Sequence, residues 1–206
     1  MVQSLDKKEV DSHTDPSVSK QYDTETPSQK QLEEFYQFAD KQKVGLLTTI
    51  RSGLGPVSRS MAIAKRVGPD FLFLANKHSN KFDDIDADKT AQITFQNSSS
   101  QDWASLTGSV TTSSNDDPRI KELYNPATSA WFGDLGDGVH NGTADDPRMT
   151  LIEVKAKYVS YWKSSVGALG FLKEVGTAAA TGKVADTGVQ RELREDLLEQ
   201  ARKMEN

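Results

Sequence analysis

The chain has no cysteine, no long apolar run and no strong excess of either charge, and each absence removes a class of function. Without cysteine among 206 residues, disulfides, thiolate nucleophiles and cysteine-ligated metals or iron–sulfur clusters are excluded. No segment approaches the roughly 18 apolar residues of a membrane-spanning helix, and Met1 to Lys30 lacks the apolar centre of a secretory signal. These features predict a cytoplasmic protein with no membrane partner. A formal net charge of −5 with 27% charged residues is mildly acidic, against the basic footprint that nucleic acid requires. His13, His78 and His140 are scattered without metal-ligand spacing, so no metal is expected. Walker, Rossmann and Gly-x-Ser-x-Gly signatures are absent too, leaving nucleotide-triphosphate chemistry and serine hydrolysis without support.

What is present divides into three parts. Residues 1–27 are mostly Asp, Glu, Lys, Ser, Thr and Gln, too polar to offset the entropy of ordering, and predict a disordered tail. At Ser28, read as an N-cap, the pattern changes: Leu32, Phe35, Tyr36 and Phe38 predict a helix over 28–42. Apolar runs at 44–50, 57–64, 71–75, 90–96, 103–112 and 149–162, parted by Gly, Pro and Asn, read as six strands. The segment Arg51-Ser52-Gly53-Leu54-Gly55-Pro56 reads as a hairpin turn. Short helices are expected at 80–85 and 116–124, and a long loop around Trp131-Phe132 over 126–147. Beyond the domain at 28–165, residues 166–206 hold an Ala/Gly-rich segment and a charged helix over 187–204. Six strands with few intervening helices predict an antiparallel barrel, mainly β with flanking helices, rather than a parallel α/β sheet.

Three clusters are candidates for chemistry. Ser79-Asn80-Lys81 opens a short helix behind a strand, where unpaired backbone N–H groups and the helix dipole suit an anion; a capping serine followed by a solvated lysine explains the same residues. Arg59 stands mid-strand in Val57-Ser58-Arg59-Ser60-Met61-Ala62 and needs an anionic partner or solvent. Beside Ser79 and Lys81 it would complete a two-cation pocket for a phosphate monoester; otherwise it is an exposed strand arginine. Trp103, Trp131 and Trp162 fall at segment ends, where indole rings wall a flat heteroaromatic ligand or pack an interface. Asp116-Asp117 and Asp145-Asp146 each precede a proline and read as turn residues, not a catalytic carboxylate pair.

In their order, several motifs resemble the pyridoxamine-phosphate-oxidase-like flavin-binding split barrels, in the general-stress-protein-26 branch that includes fungal blue-light-inducible proteins. They are Arg59-Ser60-Met61, Phe71-Leu72-Phe73-Leu74 followed by Ser79-Asn80-Lys81, Leu106-Thr107-Gly108, Ala130-Trp131-Phe132, Asp146-Pro147 with Leu151-Ile152-Glu153-Val154, and Tyr161-Trp162. The resemblance implies a six-stranded antiparallel split β-barrel of Greek-key topology, working as a homodimer that holds FMN, or FAD, at its interface. It implies that Arg59, Ser79 and Lys81 hold the phosphate and that backbone around Ser60 and Met61 meets the isoalloxazine ring. Leu74, Ala75 and Asn76 would line the same pocket, with Trp103, Trp131 and Trp162 as walls, some from the partner protomer. Ala75 stands where the family often has Thr, Ser60 where it has Pro, and Lys163 where Asp is common. The C-terminal arginine motif of vitamin-B6 oxidases is missing, so a true pyridoxamine phosphate oxidase is not expected. Three roles stay open: a weak flavin-dependent oxidoreductase of the stress- or light-response type, a non-catalytic flavin store or sensor, and a split barrel that has lost its cofactor.

Overall fold

The computed structural model describes residues 15–23 and 25–205. Its strands are β1 (Val44–Arg51), β2 (Gly55–Ala62), β3 (Lys65–Val67), β4 (Asp70–Asn76), β5 (Thr90–Asn97), β6 (Asp102–Ser113), β7 (Met149–Ser164) and β8 (Gly188–Leu193). All pair antiparallel, in the order β2-β1-β5-β6-β7-β4-β3, with β8 beside β7. The chain leaves the β1–β2 hairpin for the far side through β3 and β4, then returns to lay β5 beside β1, a Greek-key path. The spine is β7: β6 runs along one edge, while β4 and then β8 share the other.

The expected six strands correspond to β1, β2, β4, β5, β6 and β7, and the sheet has two more. β3 continues β2 around a corner. The Ile63 N–H donates to Lys43 O at 3.1 Å, on the β1 side, and the next N–H, of Ala64, donates to Leu72 O of β4 at 2.9 Å. β2 and β3 therefore lie at opposite ends of the strand order: the chain, not a ladder, bridges the gap, and the barrel is split there. β8 replaces the first part of the helix expected over 187–204. Arg191 and Leu193 alternate inward along the free half of the β7 edge, and that pairing outweighs helix propensity.

Seven helices flank the sheet among the described residues: α1 (Pro16–Gln21), α2 (Ser28–Ala39), α3 (Lys81–Ala87), α4 (Arg119–Leu123), α5 (Pro126–Ser129), α6 (Ala168–Thr181) and α7 (Glu195–Glu205). α2 ends three residues before its expected limit, and Ser28 is its first residue rather than its cap, a place taken by Pro27. Leu32, Phe35 and Ala39 recur at helical spacing and close the main core, where Phe35 meets Phe71 edge-on with ring centroids 6.4 Å apart. The expected tail differs from the structure over residues 15–27. Residues 1–14 and Thr24 lie outside the described residues, but Pro16–Gln21 is helical and Tyr22 bridges Gln190. Arg191, 7% exposed, donates to Asp23 Oδ2 at 2.8 Å and Thr26 Oγ1 at 3.1 Å. A buried guanidinium needs acceptors, and these polar residues supply them where an apolar anchor is lacking.

β6 and β7 shift register between Thr107 and Gly108. A Cβ on Gly108 would fall 2.1 Å from the Lys155 carbonyl oxygen, so this bulge accepts only glycine. Gly108→Ala is expected to destabilise by about 3 kcal/mol, lowering the melting temperature by roughly 6–12 °C. Circular dichroism checks this, and an unchanged melting temperature would refute the steric account.

Candidate functional site

Strand alternation turns Arg59 inward. Val57, Arg59 and Met61 are half-buried along β2, while Ser58, Ser60 and Ala62 are exposed. Three acceptors meet the inward guanidinium: the Leu47 carbonyl at 3.3 Å, Thr49 Oγ1 at 2.7 Å and Asp84 Oδ2 at 3.1 Å. Asp84, on α3, is 3% exposed. It also accepts from Arg51 Nε at 2.9 Å, Arg51 Nη2 at 3.2 Å and Thr49 Oγ1 at 2.7 Å. The Arg51 bonds foremost, with help from Thr49 and Arg59, hold the Asp84 carboxyl down at about 2 although burial opposes them.

Lys81 stands on the same short helix. The Asn76 carbonyl, at the end of β4, accepts from the Ser79 N–H at 3.1 Å and from Ser79 Oγ at 2.7 Å, and Ser79 Oγ in turn accepts from Lys81 Nζ at 2.5 Å. Ser79 therefore closes a turn and holds the lysine; the cap position belongs to Asn80, which makes no side-chain capping bond. Burial lowers the Lys81 ammonium below its ordinary value, and the nearby Arg59 charge lowers it further. Burial likewise lowers the Arg59 guanidinium, against the opposing pull of Asp84. Lys81 has no carboxylate partner among the described residues. Three cations, Arg51, Arg59 and Lys81, gather around the one buried carboxylate, Asp84, while exposed Asp83 acts on Arg51 from outside the cluster, so positive charge is left in excess at Lys81 and Arg59. Such a partly desolvated set is chemically suited to a phosphate monoester.

The structure thus brings Arg59, Ser79 and Lys81 together and adds Thr49, Arg51 and Asp84, which sequence reasoning missed. A mid-strand arginine does signal a partner acid, but Asp83, Asp84, Asp86 and Asp88 all lie close behind β4, and only the seating of α3 selects Asp84. Other expected residues are dispersed. Ala75 points into the main core and Leu74 toward a second cluster with Leu72, Met149 and Phe132, so their side chains do not share a pocket. Asn76 turns its carbonyl to Ser79 and its side-chain oxygen to the His78 N–H, Ser60 is exposed on the outer face, and Met61 packs on the core. Trp103 and Trp162 are direct cross-strand partners on the outer face of β6 and β7. The Trp162 indole overlies Gly188, where a Cβ would come within 2.6 Å of its Cζ2. Trp131 is 83% exposed on a loop anchored by Arg148, which pairs with buried Asp146 at 2.6 Å and donates to the carbonyls of Phe132 at 3.0 Å and Gly133 at 2.8 Å.

The Asp84 network carries a pH signature. Its carboxyl is lowered in the folded chain, so the stabilisation is complete above the unfolded value near 4 and is lost as pH falls through about 2. Asp84→Asn is expected to cost on the order of 2 kcal/mol at pH 7 and to flatten the stability profile between these two values. Urea unfolding across that range checks it; wild-type acid sensitivity in the variant would contradict the assignment.

The family model for pyridoxamine 5'-phosphate oxidase-like proteins matches residues 30–186. Protein bli-3 of Neurospora crassa is 38% identical over 184 residues, 88% of this chain and 88% of that protein. Among solved structures, a Clostridium acetobutylicum protein related to general stress protein 26 of B. subtilis superposes with a TM-score of 0.58 at 15% identity, covering 82% of this chain and 97% of the other. A pyridoxamine 5'-phosphate oxidase-related, FMN binding protein of Nostoc punctiforme PCC 73102 superposes with a TM-score of 0.51 at 14% identity, covering 68% of this chain and 87% of the other. At these identities the solved structures speak to the fold, and they share it. On the family match and the bli-3 likeness, the chain belongs to the pyridoxamine 5'-phosphate oxidase-like family.

Proposed function

We propose that this chain is a flavin-binding protein that holds the phosphate of FMN between Lys81 and Arg59 and works as a homodimer. The observation that carries the reading is the uncompensated, partly desolvated Lys81 beside Arg59. A phosphate monoester there accepts charge-assisted bonds from Lys81 and Arg59, and Asp84 keeps the arginine in place. The FMN-binding relative from Nostoc punctiforme supports the choice of ligand. In this reading the ring lies along the backbone of Ser60, Met61 and Leu74 to Asn76, with Trp103, Trp162 and Trp131 as walls from one or both protomers.

Bound flavin supplies the redox chemistry, and the chain need only bind, orient and shield it. The hydroxyls and the carboxylate of the cluster are engaged with one another or with backbone: Thr49 donates to Asp84, and Ser79 donates to the Asn76 carbonyl. Lys81, which the phosphate would engage, is the one proton donor left with spare capacity in the cluster, which favours a flavin store or sensor over an acid–base enzyme. Bleaching of the flavin spectrum by a nicotinamide donor under anaerobic conditions would reverse that preference.

The dimer reading rests on the outer face of the sheet. Cross-strand partners share a face, and the pairing aligns Ser60, Leu46, Thr94, Ser105 and Ser160 in one row. Neighbouring outward positions include Val44, Gln96, Trp103, Trp162 and Tyr158. Up to Glu192 of β8, which pairs Ser160 and ends the row, none of these positions carries a charge, in a chain with 27% charged residues, and Val44 and Leu46 are each 48% exposed. A neutral sheet face of this kind suits a two-fold partner.

Two measurements test the proposal. Wild-type protein mixed with FMN and desalted is expected to keep the flavin absorbance bands, while Lys81→Ala weakens binding about 10- to 100-fold; colourless wild type overturns the cofactor reading. Thr94→Arg is expected to leave a folded monomer by light scattering, and an unaltered dimer would place the interface elsewhere.

A further inference from the structure

α6 is turned inside out. Its apolar arc, Leu169, Phe171, Leu172 and Val175, is 85, 39, 68 and 41% exposed, while the positions with less exposure are Gly170, Glu174 and Ala178. Glu174 Oε1 accepts from the Asp186 N–H at 3.3 Å, and a Cβ on Gly170 would lie 3.1 Å from Val166 Cβ. The helix thus rests on its own connecting loop through small and polar residues. Fourteen residues interrupted by Gly170 and Gly176 make a marginal helix on propensity alone, and helices of this kind gain stability by burying their apolar face. Among the described residues that face stays largely uncovered.

We propose that a second copy of this chain covers it, each α6 lying across the neutral sheet face of the other protomer. The inference deepens the homodimer reading above and rests on it. Position is the first argument. α6 lies in the connection from β7 to β8, directly beyond Trp162 and Gly188, and the Ser164 N–H bonds Asp102 Oδ1 at 2.7 Å to fix where the chain leaves the sheet. The arc therefore starts at the margin of the neutral face that carries Trp103 and Trp162.

Area is the second argument. With strands about 4.8 Å apart and about 6.7 Å between outward residues, the neutral face covers roughly 500 Å². That is short of the about 800 Å² each partner buries in a stable dimer. A helix about 21 Å long and about 10 Å across adds roughly 200 Å² and brings the total near that figure. In a two-fold dimer both surfaces are buried twice by one operation.

Charge is the third. Lys173 and Glu174 at the border of the arc cancel, so it lacks the basic flank that lipid headgroups select and matches a neutral sheet instead. Residues 1–14 are a poor alternative cover, since five of them are charged.

Because the chain has no cysteine, Leu172→Cys introduces a single reporter thiol. Its labelling by a maleimide is followed over a range of protein concentration, with light scattering on the same samples. Slowing by about tenfold as the dimer forms, relieved on dilution and abolished by Thr94→Arg, is the expected result. Phe171→Glu should weaken dimerisation about tenfold with the circular dichroism spectrum preserved. A dimer whose reporter thiol reacts as fast as in the monomer overturns α6 docking and leaves the homodimer standing. Slow labelling at every concentration means a cover from the same chain and also overturns it. A chain monomeric throughout overturns both readings, and the FMN spectrum reports separately on the phosphate pocket.

Discussion

A carboxylate buried at the end of a barrel must be paired, and the pairing of Asp84 organises what lies around it. Its oxygens accept from Arg51, Thr49 and Arg59, so one side chain on α3 ties down two neighbouring strands. The same seven-residue helix begins with Lys81, and seating Asp84 therefore also seats the lysine beside Arg59. The cluster retains an excess of positive charge because its one buried acid cannot neutralise three cations. Frame and candidate site share a single electrostatic constraint.

The motifs that mark the family divide between frame and site. Leu106-Thr107-Gly108 contains the bulge at which the Gly108 backbone crowds Lys155. Asp146-Pro147 introduces the Asp146–Arg148 pair, which holds the loop bearing Trp131 through the carbonyls of Phe132 and Gly133. Tyr161 sends its hydroxyl to the Gln31 carbonyl at 2.8 Å and so docks α2 on β7. Only Arg59-Ser60-Met61 and Ser79-Asn80-Lys81 contribute directly to the charged cluster.

Two surfaces of the chain are left unmatched in the same sense. The outer face of β2, β1, β5 and β6 carries no charge, and α6 presents its apolar arc outward. Charged side chains are plentiful elsewhere, including Lys155 and Lys157 immediately past the Gly108 bulge, where β7 leaves the neutral face. The boundary between charged and neutral surface follows the architecture of the sheet.

Much of the fold was legible from local pattern. Alternation marked six of the eight strands, helical spacing marked Leu32 and Phe35 as core, and the order of short motifs pointed to the family, because periodicity and turn chemistry act within a few residues. β3 and β8 were not legible: three residues past a corner have no periodicity to read, and Gly188–Leu193 is a strand only because β7 offers it a free edge. The sequence by itself determined that Arg59, Ser79 and Lys81 were the residues to watch, since a mid-strand guanidinium and a lysine behind a strand demand partners. Only the tertiary structure decided that the partner is Asp84, that Leu74 and Ala75 face opposite ways, and that α6 turns its apolar side outward. Buried charge pairing and the choice of which face is covered depend on residues far apart in the chain, and no local pattern encodes them.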